Sequence, residues 1–434
     1  MIIFGRYPVP GHTKTRLIPT LGPAGAAELQ RRVTEDAVQS VRDYAERTCT
    51  DMVFCFEGGS RRRMRRWLGP GLILSPQTPG DLGARMAAAF REAFQAGCTR
   101  VVLLGTDIPD LNGSHLSEAF EALERHDLVL GPSTDGGYGL VGLRRPVNIF
   151  EGIAWGTDRV LNQTLALAEK QGCRAHRLSP LTDLDTMEDL YQWRPEASWT
   201  DPYLSVVIPT LNEEKLVGSA IRSAQNRDAE VIVVDGGSKD CTVQRATETG
   251  ARIVRSPKGR ALQQNRGASL ARGRVILFLH ADTHLPEHYM DHVFETLMDS
   301  RTVLGAFRFK TDLNTPFMKV IEGLTRFRSA ALNLPYGDQG LFLRKSLFKR
   351  IGGFPPVPIA EDLLLVRKTA KLGRIKVAPV PALTSARRWQ KAGPLRTTLI
   401  NQLILAGLML GTPHQTLARL YFHKSRPGVD QTRK

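Results

Sequence analysis

Three short apolar runs in the second half of the chain recur in one format: LSVVIP (204–209), EVIVVD (230–235) and RVILFL (274–279). Each is followed by a polar, turn-forming segment and then by a stretch of helical length. Short apolar runs alternating with amphipathic segments constrain the fold to βαβ units on a mostly parallel sheet. In such sheets ligands bind beyond the carboxyl ends of the strands, so the residues after each run decide the chemistry. Those segments are PTLNEE, DGGSKDCT and HADTH. Three successive strand ends carrying acids, amides and flexible turns form a pocket rather than three unrelated turns.

The first half repeats the plan. Strands are expected at 2–5, 52–56, 72–74, 101–104, 128–130 and 138–141, with helices over 24–44, the arginine run at 61–66, and 82–96. The stretch RPEASWTDPY (194–203) is polar, contains two prolines and has no periodicity, which places a linker there. The pattern then restarts, with helices expected over 213–224, 240–249 and 260–271 and a further strand at 251–256. The expectation is two tandem nucleotide-binding α/β domains of Rossmann-like, mostly parallel plan. Their boundaries are 1–195 and 204–385, with a linker at 196–203 and a basic, helical extension at 386–434.

A formal charge of +16 points to acidic partners such as nucleotides, phosphorylated substrates or an anionic surface. The run RRRMRRW (61–67) reads as a solvated helix face, because no stacking aromatics interleave the cations and no nucleic-acid module is present. A nucleic-acid partner is therefore not expected. Five cysteines without C-x-x-C or zinc spacing suggest reduced thiols and a cytoplasmic setting, and the start MIIFGRYPVPGHTK is not a signal peptide. No apolar run is long enough to span a bilayer. LINQLILAGLMLG (399–411), with Arg387, Arg388, Lys391 and Arg396 upstream, reads as a buried helix, a dimer face, or a helix lying on a membrane, which would make the protein peripheral on the inner membrane face.

Asp235 stands at a strand tip, and Gly236 and Gly237 after it permit close approach of backbone to ligand. Such a carboxylate can accept bonds from ribose hydroxyls or a base edge, with Ser238 and Asp240 in the same loop. Arg260, Asn265 and Arg266 follow on a helix suited to phosphates. The residues VVIPTLNEE, VVDGGSKDCT, HADT and EDLLLVRK resemble, in that order, four motifs of the family 2 glycosyltransferases of GT-A fold, over 204–381. The resemblance implies donor contacts from Pro209, Asn212, Glu213 and the Asp235 loop. It implies a divalent cation, Mn²⁺ or Mg²⁺, held by Asp282 and bridging the diphosphate of a nucleotide-sugar donor. His280 stands where the family has Asp, which leaves its role as ligand or hydrogen bonder open. Asp362, supported by Glu361, is implied as the base that deprotonates an acceptor hydroxyl for inverting attack, with Asp338 and Gln339 on the acceptor side. The pair Glu361–Asp362 taken alone would read as acids favoured by a helix N-terminus. ARRWQ (386–390) is similar to the arginine–tryptophan element of processive relatives, without the full pattern.

In the first half, FGRYPVPGHTKTRL offers Gly11, Lys14 and Arg16 as a phosphate-binding loop that is not a P-loop. LLGTDIPDL puts Asp107 at a strand tip, GPSTDGGYGLVGL offers Asp135, and LTDLDTMEDL offers Asp183, Asp185 and Asp189. The set resembles a bacterial family of uncharacterised transferases distantly similar to nucleotidyltransferases, which implies Asp107 and Asp185 as metal ligands. An N-cap with acids in its first turn is the alternative for the 183–189 cluster. The fusion of the two domain types resembles proteins grouped with radical-SAM enzymes and arsenosugar biosynthesis. The leading expectation is a glycosyltransferase acting on a small-molecule or lipid acceptor, in peripheral contact with a membrane through 386–434. The alternative is a bifunctional enzyme whose first domain makes the activated donor. A basic, non-enzymatic adaptor for nucleic acid or membrane would leave the strand-tip acids unexplained.

Overall fold

The computed structural model describes residues 1–331 and 334–423, and the chain divides into two compact units, 1–200 and 201–434. The first unit holds strands β1 (Ile2–Arg6), β2 (Val53–Glu57), β3 (Ile73–Pro76), β4 (Val101–Gly105), β5 (Leu128–Pro132), β6 (Tyr138–Leu143) and β7 (Ala175–Arg177). They form one sheet in the order β3-β2-β1-β4-β6-β5-β7, with β6 antiparallel to both of its neighbours and the remaining pairs parallel. The second unit holds β8 (Leu204–Thr210), β9 (Ala229–Asp235), β10 (Arg252–Arg255), β11 (Val275–Phe278), β12 (Thr283–His284), β13 (Thr302–Thr311), β14 (Leu341–Arg344) and β15 (Arg374–Thr384), in the order β10-β9-β8-β11-β14-β13-β15-β12. Each sheet therefore starts with four parallel strands in a 3-2-1-4 order and continues through an antiparallel partner of the fourth strand. This is the mixed α/β, GT-A-like class the sequence implied.

The apolar runs become central strands because both of their faces are covered. In the second unit Val207, Ile232, Val234, Ile276 and Phe278 are buried together with Phe348 and Phe354. Helix Arg260–Leu270 lies close on this sheet. A Cβ on its Gly267 would come within 2.4 Å of Val207, so the absent side chain lets the helix seat on β8 and fixes where Arg260, its first residue, emerges.

Some boundaries differ from expectation for local reasons. The helix expected over 213–224 begins at Val217, since the backbone N–H groups of Glu213 and Glu214 are taken by Thr242 Oγ1 and Asp240 Oδ2. The helix expected over 240–249 spans Thr242–Glu248. Asp240 precedes it and accepts from the Thr242 N–H at 3.0 Å and from the Thr242 hydroxyl. In the first unit the helix expected over 24–44 runs on as Ile18–Thr48, broken by Gly22 at φ 71° just before Pro23. The arginine run forms helix Arg61–Leu68 with Met64, Trp67 and Leu68 buried and its arginines outward, the solvated face its spacing suggested.

Candidate functional site

In the second unit the tips of β8, β9 and β11 converge with segments from β14 and β15. At the β9 tip Asp235, buried at 4% exposure, accepts from the N–H groups of Gly237 and Ser238 at 3.0 and 3.1 Å and from the Ser238 hydroxyl at 2.5 Å. The loop it shapes is tied to the β8 tip. Asn212, in the left-handed region at φ 55°, takes the Ser238 hydroxyl as acceptor for its N–H and accepts the Lys239 N–H on its own side chain. Pro209 lies on β8 itself, and Gln263 anchors the floor by donating to the carbonyls of Thr210 and Val234.

The run LFLHADTH forms β11, a turn, and the two-residue strand β12. Thr283 of β12 pairs with Thr384 of β15, and this pairing carries the chain after β15 to Asp282. The guanidinium of Arg387 there donates to both Glu213 oxygens at 2.7 and 2.6 Å and to Asp282 Oδ2 at 3.1 Å. The paired Glu213 carboxylate, the leading cause, holds Arg387 above its usual pKa despite partial desolvation. Arg387 is the residue that sequence reasoning left out of the site. By sequence it stands in the basic flank of 399–411, a buried helix, dimer face or membrane-lying helix, and the ARRWQ resemblance is the one signal pointing to the site.

Beyond Asp282 the acids gather. Partial desolvation works against the charge on Arg260, but Glu361, Asp362, Asp282 and Asp338, in that order, outweigh it and raise its pKa. Arg260 approaches Glu361 at 3.5 Å. Asp362 accepts the Gly337 N–H on Oδ2 at 2.7 Å and the Leu363 N–H on Oδ1 at 2.8 Å. A Cβ at Gly337 would lie 2.8 Å from His280 Nε2 and 3.1 Å from Asp362 Oδ2. His280 and Asp362 therefore both border the space that a side chain at 337 would fill, and His280 faces the 337–362 side of the site.

Two expected donor or acceptor contacts are spent elsewhere. The Asn265 amide donates to the Phe354 carbonyl at 2.8 Å and accepts its N–H at 2.9 Å. It braces the loop before Glu361 instead of reaching out for phosphate. Gln339, 1% exposed, accepts from Ser329 and from the Tyr336 N–H and donates to the Phe307 carbonyl, so it shapes the 336–339 turn from beneath instead of lining it. Asp240, a third such residue, accepts the N–H groups of Glu214 and Thr242 and ties the two loops together.

Glu361 is 2% exposed, and burial, reinforced by Asp362 and opposed by Arg260, pushes its carboxyl up to about 6. The folded chain then holds this proton over a range in which the unfolded chain has released it, so Glu361 lowers stability as pH rises from the ordinary glutamate value through about 6. Glu361→Gln is expected to flatten that fall. Its stability relative to the native chain, measured by denaturant unfolding, should improve between pH 4.5 and 7. Parallel pH curves for the two proteins would contradict it.

In the first unit Gly11, at φ 80° with open space around it, begins a loop that turns Lys14 inward. The Lys14 side chain, 4% exposed, donates to the Leu184 carbonyl at 2.6 Å and lies 3.1 Å from Asp107 and 3.8 Å from Asp185. Burial opposes its charge, and Asp107, Asp183 and Asp185 more than compensate. Arg16 pairs with Asp185 at 3.2 Å. Asp183 joins this cluster with a buried Oδ1 that has no hydrogen-bond partner among the described residues. Burial first, then Asp107 and Asp185, pushes its carboxyl up to about 7. Asp135 sits in the neighbouring turn, accepting the Gly137 N–H at 3.0 Å. Asp189 is a helix cap, accepting from the N–H groups of Asp185 and Thr186 at 3.0 and 2.7 Å. The capping alternative thus describes Asp189, while Asp183 and Asp185 face the lysine.

Residues 205–352 match the family described as glycosyl transferase family 2, and residues 40–157 match one described as an uncharacterized protein conserved in bacteria (DUF2064). The chain thus joins these two domain types. It is 34% identical over 119 residues to the glucosyl-3-phosphoglycerate synthase of Mycolicibacterium paratuberculosis, covering 21% of this chain and 36% of that protein. It is 26% identical over 196 residues to the phosphoenolpyruvate guanylyltransferase of Chloroflexus aggregans, covering 42% of this chain and 90% of that protein. A solved structure from Desulfovibrio desulfuricans G20, provisionally described as a nucleotide-diphospho-sugar transferase, is 33% identical with a TM-score of 0.42, covering 46% of this chain and 90% of that one. The chain spans about a third of the length of the first of these relatives.

Proposed function

We propose that the second unit transfers a sugar from a nucleoside-diphosphate donor to an acceptor hydroxyl, with inversion. The observation that carries this reading is the acid-lined end of the sheet, where Arg260 lies 3.5 Å from Glu361, Asp362 accepts the Gly337 N–H and Asp282 accepts from Arg387, beside a loop built from Asn212, Asp235 and Ser238. The family 2 match over 205–352 supports it. Asn212, Glu213 and the Asp235–Ser238 loop hold the nucleoside. Arg260 and Arg387 face the diphosphate. Asp362 takes the proton from the acceptor hydroxyl, with its carboxylate oriented by the Gly337 and Leu363 N–H groups.

The donor set at Asp282 fits a hard divalent ion. Its carboxylate keeps 21% exposure beside Arg387, and Mg²⁺ is commonly held by one or two carboxylates plus substrate phosphates. Among the described residues no group of three or more His, Cys, Asp or Glu side chains forms a ready cage, so Asp282 would hold the ion together with the diphosphate. Such an ion neutralises charge that grows on the leaving diphosphate. Incubating the full chain with UDP-, GDP- and TDP-sugars and a cell extract, with mass spectrometry of the products, tests the transfer. A glycosylated product that disappears with Asp362→Asn is expected, and no product with any donor would contradict the reading.

A second reading concerns the first unit. Lys14 held between Asp107 and Asp185, beside Asp183, favours a nucleotidyltransferase that makes the activated donor, with Asp107 and Asp185 as its metal ligands. The similarity to a guanylyltransferase supports it. Pyrophosphate release from a nucleoside triphosphate and a sugar phosphate is expected to fall by more than about a hundredfold in Lys14→Ala, as for loss of a preorganised charge on a transferring phosphate. Equal release by both proteins would contradict it. The finer placing among arsenosugar-type, radical-SAM-associated fusions rests on family resemblance alone, and no residue here selects an arsenic-bearing substrate.

The acceptor is a small molecule or a lipid, and helix Pro394–Met409 would supply membrane contact. Its Ile400 and Ile404 pack on Ile359 and Leu417, while Leu399 and, just past its end, Leu410 are exposed. No helix among the described residues is long and apolar enough to cross a membrane. The side chains of Arg388 and Lys391, two of the expected basic flank, lie outside those the structure describes.

A further inference from the structure

Helix Pro316–Ala331 of the second unit carries an apolar stripe on its outer face. Val320, Leu324 and Phe327 are 60%, 60% and 66% exposed. They recur at the i, i+4, i+7 spacing of one helix face, while Met318 and Ile321 on the opposite face pack against Phe309, Ala386 and Trp389. Lys319 and Arg326, both exposed, flank this stripe on one side, each about 100° around the helix from its neighbour Val320 or Phe327. The helix has one acid, Glu322, and it is turned toward the sheet. It accepts the Thr311 N–H at 2.8 Å and the Thr311 hydroxyl at 3.0 Å. The outer face is therefore apolar, with cations along one flank and none of the helix's own carboxylates on it.

The inner face of the same helix is wired to the reacting end of the site. Ser329 donates to Gln339 at 2.9 Å, and Gln339 accepts the Tyr336 N–H. Arg328 lies over the Tyr336 ring at 3.4 Å. The next residue, Gly337, donates its N–H to Asp362. Whatever the outer face rests on is thus held at a fixed distance from the carboxylate that meets the acceptor.

We infer that the Val320–Leu324–Phe327 face docks on an anionic lipid surface and that the acceptor hydroxyl is presented from that surface. The assignment of the acceptor rests on the transferase reading; the docking face does not. The composition is that of an interfacial helix, with Phe, Leu and Val to insert and Lys and Arg to meet headgroups. A second copy of this chain fits it poorly. A two-fold interface sets the same patch against itself, which would bring Lys319 and Arg326 against their own copies. Three apolar side chains also fall well short of the roughly 20–30 residues a side of a stable protein interface.

The test uses the full chain with sedimentable vesicles, either of phosphatidylcholine alone or of an equimolar mixture with phosphatidylglycerol. The native chain is expected to sediment with the anionic vesicles and not with the neutral ones. Leu324→Glu combined with Phe327→Glu is expected to lower partitioning by at least about tenfold, since it removes two inserting side chains and adds two repelled charges. Lys319→Glu with Arg326→Glu lowers it on anionic vesicles through charge alone. Both pairs are outside the core, so thermal unfolding stays as in the native chain. Equal sedimentation of the native chain and the Leu324/Phe327 variant overturns the inference. So does absence of native binding, or a dimer seen by light scattering that this variant dissolves. A donor-induced thermal shift recorded on the same samples keeps the two readings apart. A shift that persists without vesicle binding overturns docking and leaves transfer standing, whereas vesicle binding without any shift supports docking and counts against transfer.

Discussion

Asp362→Asn is expected to bind the nucleotide donor as the native chain does and to lose turnover by about 10²–10⁴-fold, the range for removal of a general base. The donor loop is untouched, because Asn212, Asp235 and Ser238 make their hydrogen bonds to one another and to β9. The substitution also leaves a side-chain oxygen for the Gly337 N–H, which Asp362 now accepts at 2.7 Å. What disappears is the basic lone pair. The comparison with Glu361→Gln is informative. Glu361 is 2% exposed and lies 3.5 Å from Arg260, so it acts on Asp362 and Arg260 rather than on the acceptor, and its amide variant should keep most of the turnover. Steady-state rates with donor affinity measured on the same protein check both statements. A native rate in Asp362→Asn would remove Asp362 as the base.

Asp282→Asn should have the other large effect, at the opposite end of the reaction. Arg387 keeps its two bonds to Glu213, at 2.6 and 2.7 Å, so the local architecture survives. On the proposed reading the site loses the carboxylate that would meet both the incoming diphosphate and its cation. A loss of more than about a hundredfold in turnover is expected, because a cation at a departing diphosphate contributes several kcal/mol. The dependence of donor binding on Mn²⁺ or Mg²⁺ should go with it. Retained metal dependence in Asp282→Asn would transfer the ligand role to another residue.

The strands were legible because burial on both faces leaves continuous apolar runs, and β8, β9 and β11 stand where LSVVIP, EVIVVD and RVILFL placed them. The tips were legible too, since an acid directly after such a run has few structural reasons to be there. Partnerships over long sequence distance were not. Arg387 meets Asp282 across 105 residues through the β12–β15 pairing, and nothing local in ARRWQ announces that pairing. Asn265 looked like a phosphate ligand because it follows Arg260 on one helix. Its amide instead satisfies the backbone of Phe354, 89 residues away, and buried backbone groups take such partners first. Asp183 and Asp185 could not be told from Asp189 by sequence, because an N-cap and a cation site both favour clustered acids. The fold separates them by turning Lys14 toward the first two.

Calorimetry of UDP and GDP binding to the full chain, with and without Mn²⁺, tests the convergence of the strand-tip acids on a diphosphate most directly. The account predicts that the ion and the nucleoside diphosphate each tighten the binding of the other, by the same factor, and that Asp282→Asn abolishes this coupling. Binding that ignores the metal, or that is unchanged in Asp282→Asn, would contradict it.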